Sequence, residues 1–190
     1  MSQKRILLVD DESSIRFVLS AVLEQEGYAV DVAEDGFAAL RKIQQAVPDL
    51  VITDLRMPNM NGFELLSVIR HRFPHLPTIA VSGEFFAARI DEGALADAFF
   101  QKGSYSMPEF LGKISYLLTE PVKRDRKPQT SPVWAPTKDA PVMLTCTDCL
   151  RSFPIDPCAG PTPYPKHTDC IFCGTRLEVQ LVAIGMACNS

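Results

Sequence analysis

The stretch LVITDLRMPNMNG, residues 50–62, contains the pattern that decides the fold of the N-terminal part of the chain. It begins with Leu50-Val51-Ile52, a short apolar run of the kind found in strands that are buried on both faces of a sheet. A loop rich in Pro and Asn follows Asp54, and helical apolar spacing then runs from Phe63 to Ile69. A buried strand, a loop and a helix in this order indicate an α/β protein with parallel strands.

The same alternation extends outward in both directions. Apolar runs predict four further strands, at residues 6–9, 28–32, 78–81 and 98–100. Helical spacing predicts four further helices, within residues 15–23, 37–46, 84–95 and 110–118. Five strands that alternate with five helices predict an α/β fold with a doubly wound five-stranded parallel sheet. Such sheets bind their ligands at the carboxyl ends of the strands.

The composition is that of a globular protein, since 46% of the 190 residues are hydrophobic and 22% are charged. These values exclude a wholly disordered chain, and no apolar run reaches the roughly 18 residues of a membrane span. The apolar run after Arg5 is too short for a signal peptide, so we expect a cytoplasmic protein that does not bind membranes. Residues 1–120 hold 11 Lys and Arg against 17 Asp and Glu, and this net charge of −6 argues against nucleic acid as their direct ligand.

Cysteines and prolines divide the chain. All six cysteines lie after residue 145, and 10 of the 15 prolines lie between residues 121 and 165. Residues 121–141 lack apolar periodicity and carry several basic side chains, which is typical of an extended linker. We therefore predict a domain at residues 1–120, a Pro-rich basic linker at residues 121–141 and a small cysteine-rich module at residues 142–190.

Polar side chains follow four of the five predicted strands. They are Asp10 and Asp11 after the first strand, Asp54 after the third, Ser82 after the fourth and Lys102 after the fifth. Because the carboxyl ends of parallel strands meet at one edge of a sheet, these side chains should converge. Carboxylates that lie close together need a cation, and the hard ion Mg²⁺ prefers oxygen ligands. A carboxylate beside Mg²⁺ can act as a nucleophile toward a phosphoryl group.

Each of these residues alone has a plainer interpretation. The acids could be turn residues or helix caps, the serine a turn residue and the lysine a surface charge. Their joint occurrence at the ends of successive strands favours phosphoryl chemistry over these separate explanations.

The first 120 residues resemble the receiver domain of two-component response regulators, which has a flavodoxin-like fold. The resemblance rests on residues 6–12, 54–62 and 81–83 and on Lys102. It implies that Asp54 is the phosphoacceptor and that Ser82 and Lys102 contact the phosphoryl group. It also implies Mg²⁺ ligands at Asp10, Asp11, Asp54 and the backbone carbonyl of Arg56, and an aromatic switch residue at Phe99.

Two positions in this match leave a question open. Gly103 follows Lys102 where the family usually has proline, and a cis peptide cannot be assumed there because a non-proline cis bond costs about 2.5–4 kcal/mol. The direction in which Lys102 points is therefore uncertain from the sequence. Phe99 fits a core aromatic in a strand as well as it fits a switch residue.

The C-terminal module contains two Cys-x-x-Cys pairs, Cys146/Cys149 and Cys170/Cys173, with 20 residues between them. This spacing is typical of a structural Zn²⁺ site with four thiolate ligands, and a module this small gains from a metal. The module resembles the zinc-ribbon class in this spacing and in short apolar segments around Phe153, Leu177, Val179 and Leu181. His167 is an alternative ligand, although a surface histidine is the simpler interpretation. Cys158 and Cys188 have no predicted role. An iron–sulfur cluster or a redox-active cysteine pair is an alternative to zinc, but it fits two matched Cys-x-x-Cys pairs less well.

These observations favour a response regulator of a two-component system that is controlled by phosphorylation. The expected phosphodonor is a histidine kinase or a phosphotransfer protein. The zinc module would pass the signal to an output partner that is a protein or a nucleic acid, with a protein favoured. A homodimer is possible. The protein is not predicted to be an enzyme beyond its own phosphorylation and dephosphorylation at Asp54.

Two alternatives from other classes remain open. The chain could be a phosphorylation-independent scaffold that keeps only the fold. It could also be a redox or metal sensor in which the cysteine module senses and the first domain docks. The sequence does not identify the cognate kinase, the signal or the output.

Overall fold

A computed structural model describes residues 3–83, 96–120, 133–134, 142–155 and 167–178 of the chain. The chain divides into two compact units, Met1–Arg126 and Lys127–Ser190. Among the described residues, no helix is long and apolar enough to cross a membrane.

The first unit is built around a parallel sheet of five strands. These are β1 (Arg5–Val9), β2 (Ala29–Ala33), β3 (Leu50–Asp54), β4 (Thr78–Ser82) and β5 (Ala98–Gln101). Their spatial order is β2-β1-β3-β4-β5, and every pair is parallel. The order places β1 and β3 at the centre, where their side chains are almost fully buried. The predicted doubly wound α/β sheet is confirmed.

Four helices of this unit lie within the described residues: α1 (Ser13–Gln25), α2 (Gly36–Gln45), α3 (Gly62–Arg72) and α4 (Met107–Thr119). The predicted helix at residues 84–95 lies outside them. Side-chain caps fix three of the helix starts, because Asp35, Asn61 and Ser106 each accept a hydrogen bond from a backbone N–H in the first turn.

One apolar core lies between the sheet, α1 and α4. It consists of Ile6, Leu8, Leu19, Leu23, Leu50, Ile52, Ile79, Val81, Phe110, Ile114 and Leu117. Helical spacing alone also groups Val18 with the core residues of α1, but Val18 is 60% exposed. The spacing of i, i+3 and i+4 marks a broad stripe on a helix, and only the central part of that stripe faces the sheet.

In the second unit the described residues form two small antiparallel sheets. One joins β6 (Val133–Trp134), β7 (Val142–Thr145) and β8 (Ser152–Ile155), and the other pairs β9 (His167–Asp169) with β10 (Arg176–Glu178). The short strands expected around Phe153 and Leu177 are present, whereas Val179 and Leu181 lie outside the described residues. Residues 133–134 pair with β7, although we predicted linker there. A two-residue strand is too short to show period-two alternation in the sequence.

Candidate functional site

The carboxyl edge of the parallel sheet brings three predicted acids together. Asp10 follows β1 and Asp54 ends β3, and both are buried, at 3% and 6% exposure. Asp11 is exposed beside them. One carboxylate oxygen from each of the three residues lies within 4.8 Å of the others. The structure therefore groups the acids that the order of strand ends predicted.

Lys102 connects the two buried acids. Its Nζ lies 2.6 Å from Asp54 Oδ2 and 2.9 Å from Asp10 Oδ2, and a third carboxylate, Glu12, is 3.6 Å away. Burial lowers the pKa of Lys102, but the hydrogen bonds and charges of Asp54 and Asp10 outweigh burial, so the net pKa is raised. The ammonium group is therefore firmly charged. Glu12 had no predicted role, because an exposed acid at a helix start looks like an ordinary surface residue.

Burial lowers the pKa of Lys102 but acts in the other direction on Asp10, because Asp10 is an acid. It raises the pKa of the Asp10 carboxyl group, and contacts with Lys102 and with the backbone N–H of Glu12 offset part of that rise. The carboxylate is thus held in a place where its negative charge is costly. A second cation would lower that cost.

Gly103 does not prevent Lys102 from facing the acids. The peptide bond after Lys102 is trans, and Gly103 has a φ of +77°, a left-handed conformation that glycine adopts without strain. The N–H of Lys102 donates to the Ser82 carbonyl at 2.8 Å, which extends the β4–β5 pairing up to the lysine. Strand pairing, rather than a proline, fixes the position of the Lys102 backbone.

The other predicted site residues occupy the same edge or its margin. Ser82 ends β4 and is buried. The N–H of Arg56 donates to Asp54 Oδ1 at 3.1 Å, so the backbone of Arg56 lies beside the Asp54 carboxylate while its side chain is exposed. Phe99 lies in β5 and is 37% exposed, so it is not fully buried.

The donor set fits Mg²⁺. Three carboxylates within reach of one ion offer the hard oxygen ligands that Mg²⁺ prefers, and one of them, Asp11, is exposed to solvent. Within the described part of the chain, the ammonium of Lys102 is the one that contacts the two buried acids and Glu12. Lys102 contacts Oδ2 of both Asp10 and Asp54, so the lysine and a bound ion would share these carboxylates.

Gly62, at the end of the quoted stretch, is packed against the backbone of Asp54. A Cβ atom at Gly62 would lie 2.0 Å from the carbonyl oxygen of Asp54 and 2.8 Å from Cα of Leu55. The N–H of Gly62 also donates to the Leu55 carbonyl at 3.2 Å. No side chain fits this approach, so the glycine is required by packing.

Gly62→Ala should therefore displace the backbone of Asp54 and lower the free energy of unfolding by about 3 kcal/mol, since overpacking at a rigid contact is costly. Chemical denaturation measures this loss. Gly112→Ala is the matched control, because Gly112 lies in α4 with open space around its Cβ position and alanine favours a helix. Equal stability changes in the two variants would contradict the close contact at Gly62.

A second cluster lies in the other unit, where four cysteines meet. Two turns of the same design carry them. In the first, the N–H of Leu150 donates to the Cys146 carbonyl, and in the second the N–H of Gly174 donates to the Cys170 carbonyl, at 2.8 and 2.9 Å. Leu150 and Gly174 both have positive φ values, 56° and 74°. Each turn therefore reverses the chain just after its cysteine pair.

The four Sγ atoms lie within 4.8 Å of one another, and two pairs, Cys146 with Cys173 and Cys149 with Cys170, are 3.7 Å apart. A tetrahedral Zn²⁺ site with Zn–S bonds of about 2.3 Å has Sγ–Sγ separations of about 3.8 Å, so the cluster has the size of such a site. Burial raises the pKa of Cys146, and a bound cation would favour its thiolate.

The remaining candidates of this unit fall outside the cluster. His167 begins β9, is exposed, and is not among the ligand atoms that the described residues bring together. Cys158 and Cys188 lie outside the described residues. The four cysteines of the two pairs are thus the ligand set that the described part of the unit offers.

Comparison with known proteins agrees with the geometry of the first unit. Residues 6–101 match the family model of the response regulator receiver domain. The CAI-1 autoinducer sensor kinase/phosphatase CqsS of Vibrio cholerae is 40% identical over 85 residues, which are 43% of this chain and 12% of that protein. The chain spans between 12% and 38% of the length of its first curated relatives.

Solved structures show the same fold. The response regulator TrrA of Thermotoga maritima, in complex with Mg²⁺ and BeF, is 37% identical, with 60% of this chain and 99% of that chain covered and a TM-score of 0.55. A chain in the complex of the histidine kinase ThkA with TrrA is 35% identical, with 62% of this chain and 100% of that chain covered and a TM-score of 0.56.

Proposed function

The chain belongs to the response regulator receiver domain family, and from this premise we propose that it accepts a phosphoryl group on Asp54 with the help of Mg²⁺. The family is one of signalling domains rather than classical enzymes, and a two-component response regulator is the function it supports. Phosphorylation of Asp54 would then switch the protein between two signalling states.

The observation that carries this proposal is the contact of one lysine with two buried acids. Lys102 neutralises Asp54 in the resting state and lies 2.6 Å from the oxygen that would attack. When Asp54 Oδ2 forms a bond to phosphorus, the bond from phosphorus to the donor breaks and the donor group leaves. In this proposal Lys102 and the hydroxyl of Ser82 would hold phosphoryl oxygens, and Mg²⁺, when bound, would supply positive charge that offsets the incoming negative charge.

A histidine kinase or a phosphotransfer protein is the proposed phosphodonor. The complex of ThkA with TrrA supports a kinase partner, because TrrA is similar to this chain over all of its own length. The cytoplasmic location and a possible homodimer stay predictions.

We propose further that Cys146, Cys149, Cys170 and Cys173 hold a structural Zn²⁺ and that this module passes the phosphorylation signal to a protein partner. The support is the Sγ spacing and the paired turns described above. The predicted boundaries of the three segments, residues 1–120, 121–141 and 142–190, belong to this proposal.

A redox or metal sensor is the second candidate, because one ligand of the cysteine cluster is exposed. Cys173 is accessible, whereas Cys146 and Cys170 are buried. An accessible thiolate is the one that an oxidant reaches first. Two results together would favour this candidate over the first. Mild peroxide would release zinc from the module, and phosphorylation of Asp54 would leave the module unchanged.

Phosphoryl uptake from a small donor such as acetyl phosphate tests the proposed function. Uptake should require Mg²⁺ and should cease with EDTA. Asp11→Asn, which removes one carboxylate but no buried contact, should raise the Mg²⁺ concentration for half-maximal uptake by roughly 10-fold or more. Glu24→Gln is the control, because Glu24 is an exposed acid near the end of α1. Uptake that is independent of Mg²⁺ would contradict the proposal.

A further inference from the structure

The loop between β3 and α3, residues 55–61, is tied to the start of α2 by a pair of residues outside the acid cluster. The side-chain Nδ2 of Asn59 donates to Asp35 Oδ2 at 2.8 Å. The other oxygen, Asp35 Oδ1, accepts from the N–H of Ala38 at 2.7 Å and caps α2. Asp35 is buried, with 7% exposure, so both oxygens of a buried carboxylate are used.

The adjacent residues tighten the same junction. The N–H of Gly36 donates to the Met60 carbonyl at 3.0 Å. Met60 is fully buried, and a Cβ atom at Gly36 would lie 2.5 Å from its Cγ. Asn59 has a φ of +62°, a conformation that Asn and Asp tolerate better than other side chains. The loop is therefore held in an unusual backbone conformation by contacts with α2.

This junction lies three residues from the backbone that faces the phosphoacceptor. The N–H of Arg56 donates to Asp54 Oδ1, and the N–H of Gly62 donates to the carbonyl of Leu55. The loop is thus fixed at Leu55–Arg56 by the phosphoacceptor and at Asn59–Met60 by α2. A shift at Asn59 must be taken up by the few residues between, which include Arg56.

We propose that Asp35 and Asn59 are positioning residues that hold the 55–61 loop in the conformation needed for Mg²⁺ binding at the sheet edge. The inference rests on the proposed function, because it concerns the cation site at Asp54. Neither residue belongs to the acid cluster that would contact the ion. They act through the backbone of the loop.

An exchange of the two side chains tests this proposal. Asn59→Asp places a carboxylate against Asp35, and the two negative charges repel and break the contact. The double variant Asp35→Asn/Asn59→Asp restores a donor opposite an acceptor and has the same net charge as the wild type. The amide that replaces the Asp35 carboxylate in this variant keeps a carbonyl oxygen that can cap α2.

Mg²⁺ affinity, measured by calorimetric titration of the full chain, should fall roughly 10-fold in Asn59→Asp and return to within about 2-fold of wild type in the double variant. The direction of the change in Mg²⁺ affinity is informative. A carboxylate added near a cation site would raise the affinity if it acted only through its charge, whereas loss of the contact with Asp35 should lower it. Asn59→Gly, which removes the amide and keeps the positive φ, should also weaken binding and serves if Asn59→Asp does not fold.

Unchanged or tighter Mg²⁺ binding in Asn59→Asp and Asn59→Gly would overturn the inference, and so would a loss that the double variant does not restore. The wild-type titration separates this failure from that of the proposed function. No Mg²⁺ binding by the wild type would overturn both, whereas normal wild-type binding and phosphoryl uptake with insensitive variants would overturn the positioning role alone.

Discussion

Asp54→Asn is expected to abolish phosphoryl uptake completely while the first unit stays folded. An amide oxygen is a far weaker nucleophile than a carboxylate, and the substitution leaves the shape of the side chain unchanged. The amide can still accept the hydrogen bond from the N–H of Arg56. The substitution breaks the ion pair with Lys102, which keeps its contact with Asp10, and it also removes one of the carboxylates that repel one another at the sheet edge. The free energy of unfolding should therefore not fall by more than about 2 kcal/mol.

Labelling with a radioactive small phosphodonor, followed by denaturing electrophoresis, measures this loss. Asp31→Asn is the matched control, since Asp31 lies on the edge strand β2 and forms a half-exposed ion pair with Arg5. Such a pair contributes little to stability, so the control variant should take up phosphoryl groups at the wild-type rate. If the Asp54→Asn variant were labelled as strongly as the wild type, the phosphoacceptor would be another residue.

Much of the first unit could be predicted because its strands are continuous apolar runs. A continuous apolar run such as Leu50-Val51-Ile52 is typical of a strand buried on both faces of a parallel sheet, and the structure places it in the central strand. Once the strands are parallel, the residues after them must meet at one edge. That geometric rule, rather than any single residue, located Asp10, Asp54 and Lys102.

Contacts made by backbone and by single polar side chains could not be predicted in the same way. The close approach of Gly62 to the carbonyl of Asp54 depends on the path of the intervening loop, which no periodicity describes. The bond between Asp35 and Asn59 joins residues 24 positions apart, and each looks like an ordinary turn residue in the sequence. The buried ion pair of Arg70 with Asp97 could not be predicted either, because a charged residue in a helix is normally exposed.

The cysteine cluster was accessible to prediction because metal ligation imposes its own spacing. Two short turns, each with a Cys-x-x-Cys pair, can direct four thiolates to one ion whatever sequence lies between them. The strand at Val133–Trp134 carried no such signature, and its pairing with β7 followed only from the structure.

Zinc removal is expected to unfold the cysteine module while the parallel sheet stays intact. The apolar cluster of the module consists of Leu144, Cys146, Phe153, Cys170 and Leu177, so two of its five buried residues are proposed metal ligands. A core of this size cannot offset the conformational entropy of the chain, and structural Zn²⁺ contributes on the order of 10 kcal/mol to such modules. The purified protein should contain about one Zn²⁺ per chain.

Hydrogen exchange after chelation provides the measurement. The amides of Cys146 and Cys170, which donate to Arg151 and Thr175, should lose protection, while amides of β1 and β3 should keep it. Serine at any of the four clustered cysteines should have the effect of chelation, because a hydroxyl is a poor Zn²⁺ ligand at neutral pH. The same change at Cys158 or Cys188 is the control and should leave zinc content unchanged. If zinc is lost from a control variant and retained in one of the four, the ligand set is wrong, and His167 becomes the next ligand to test, because a Cys₃His site is the usual variant of four-thiolate coordination.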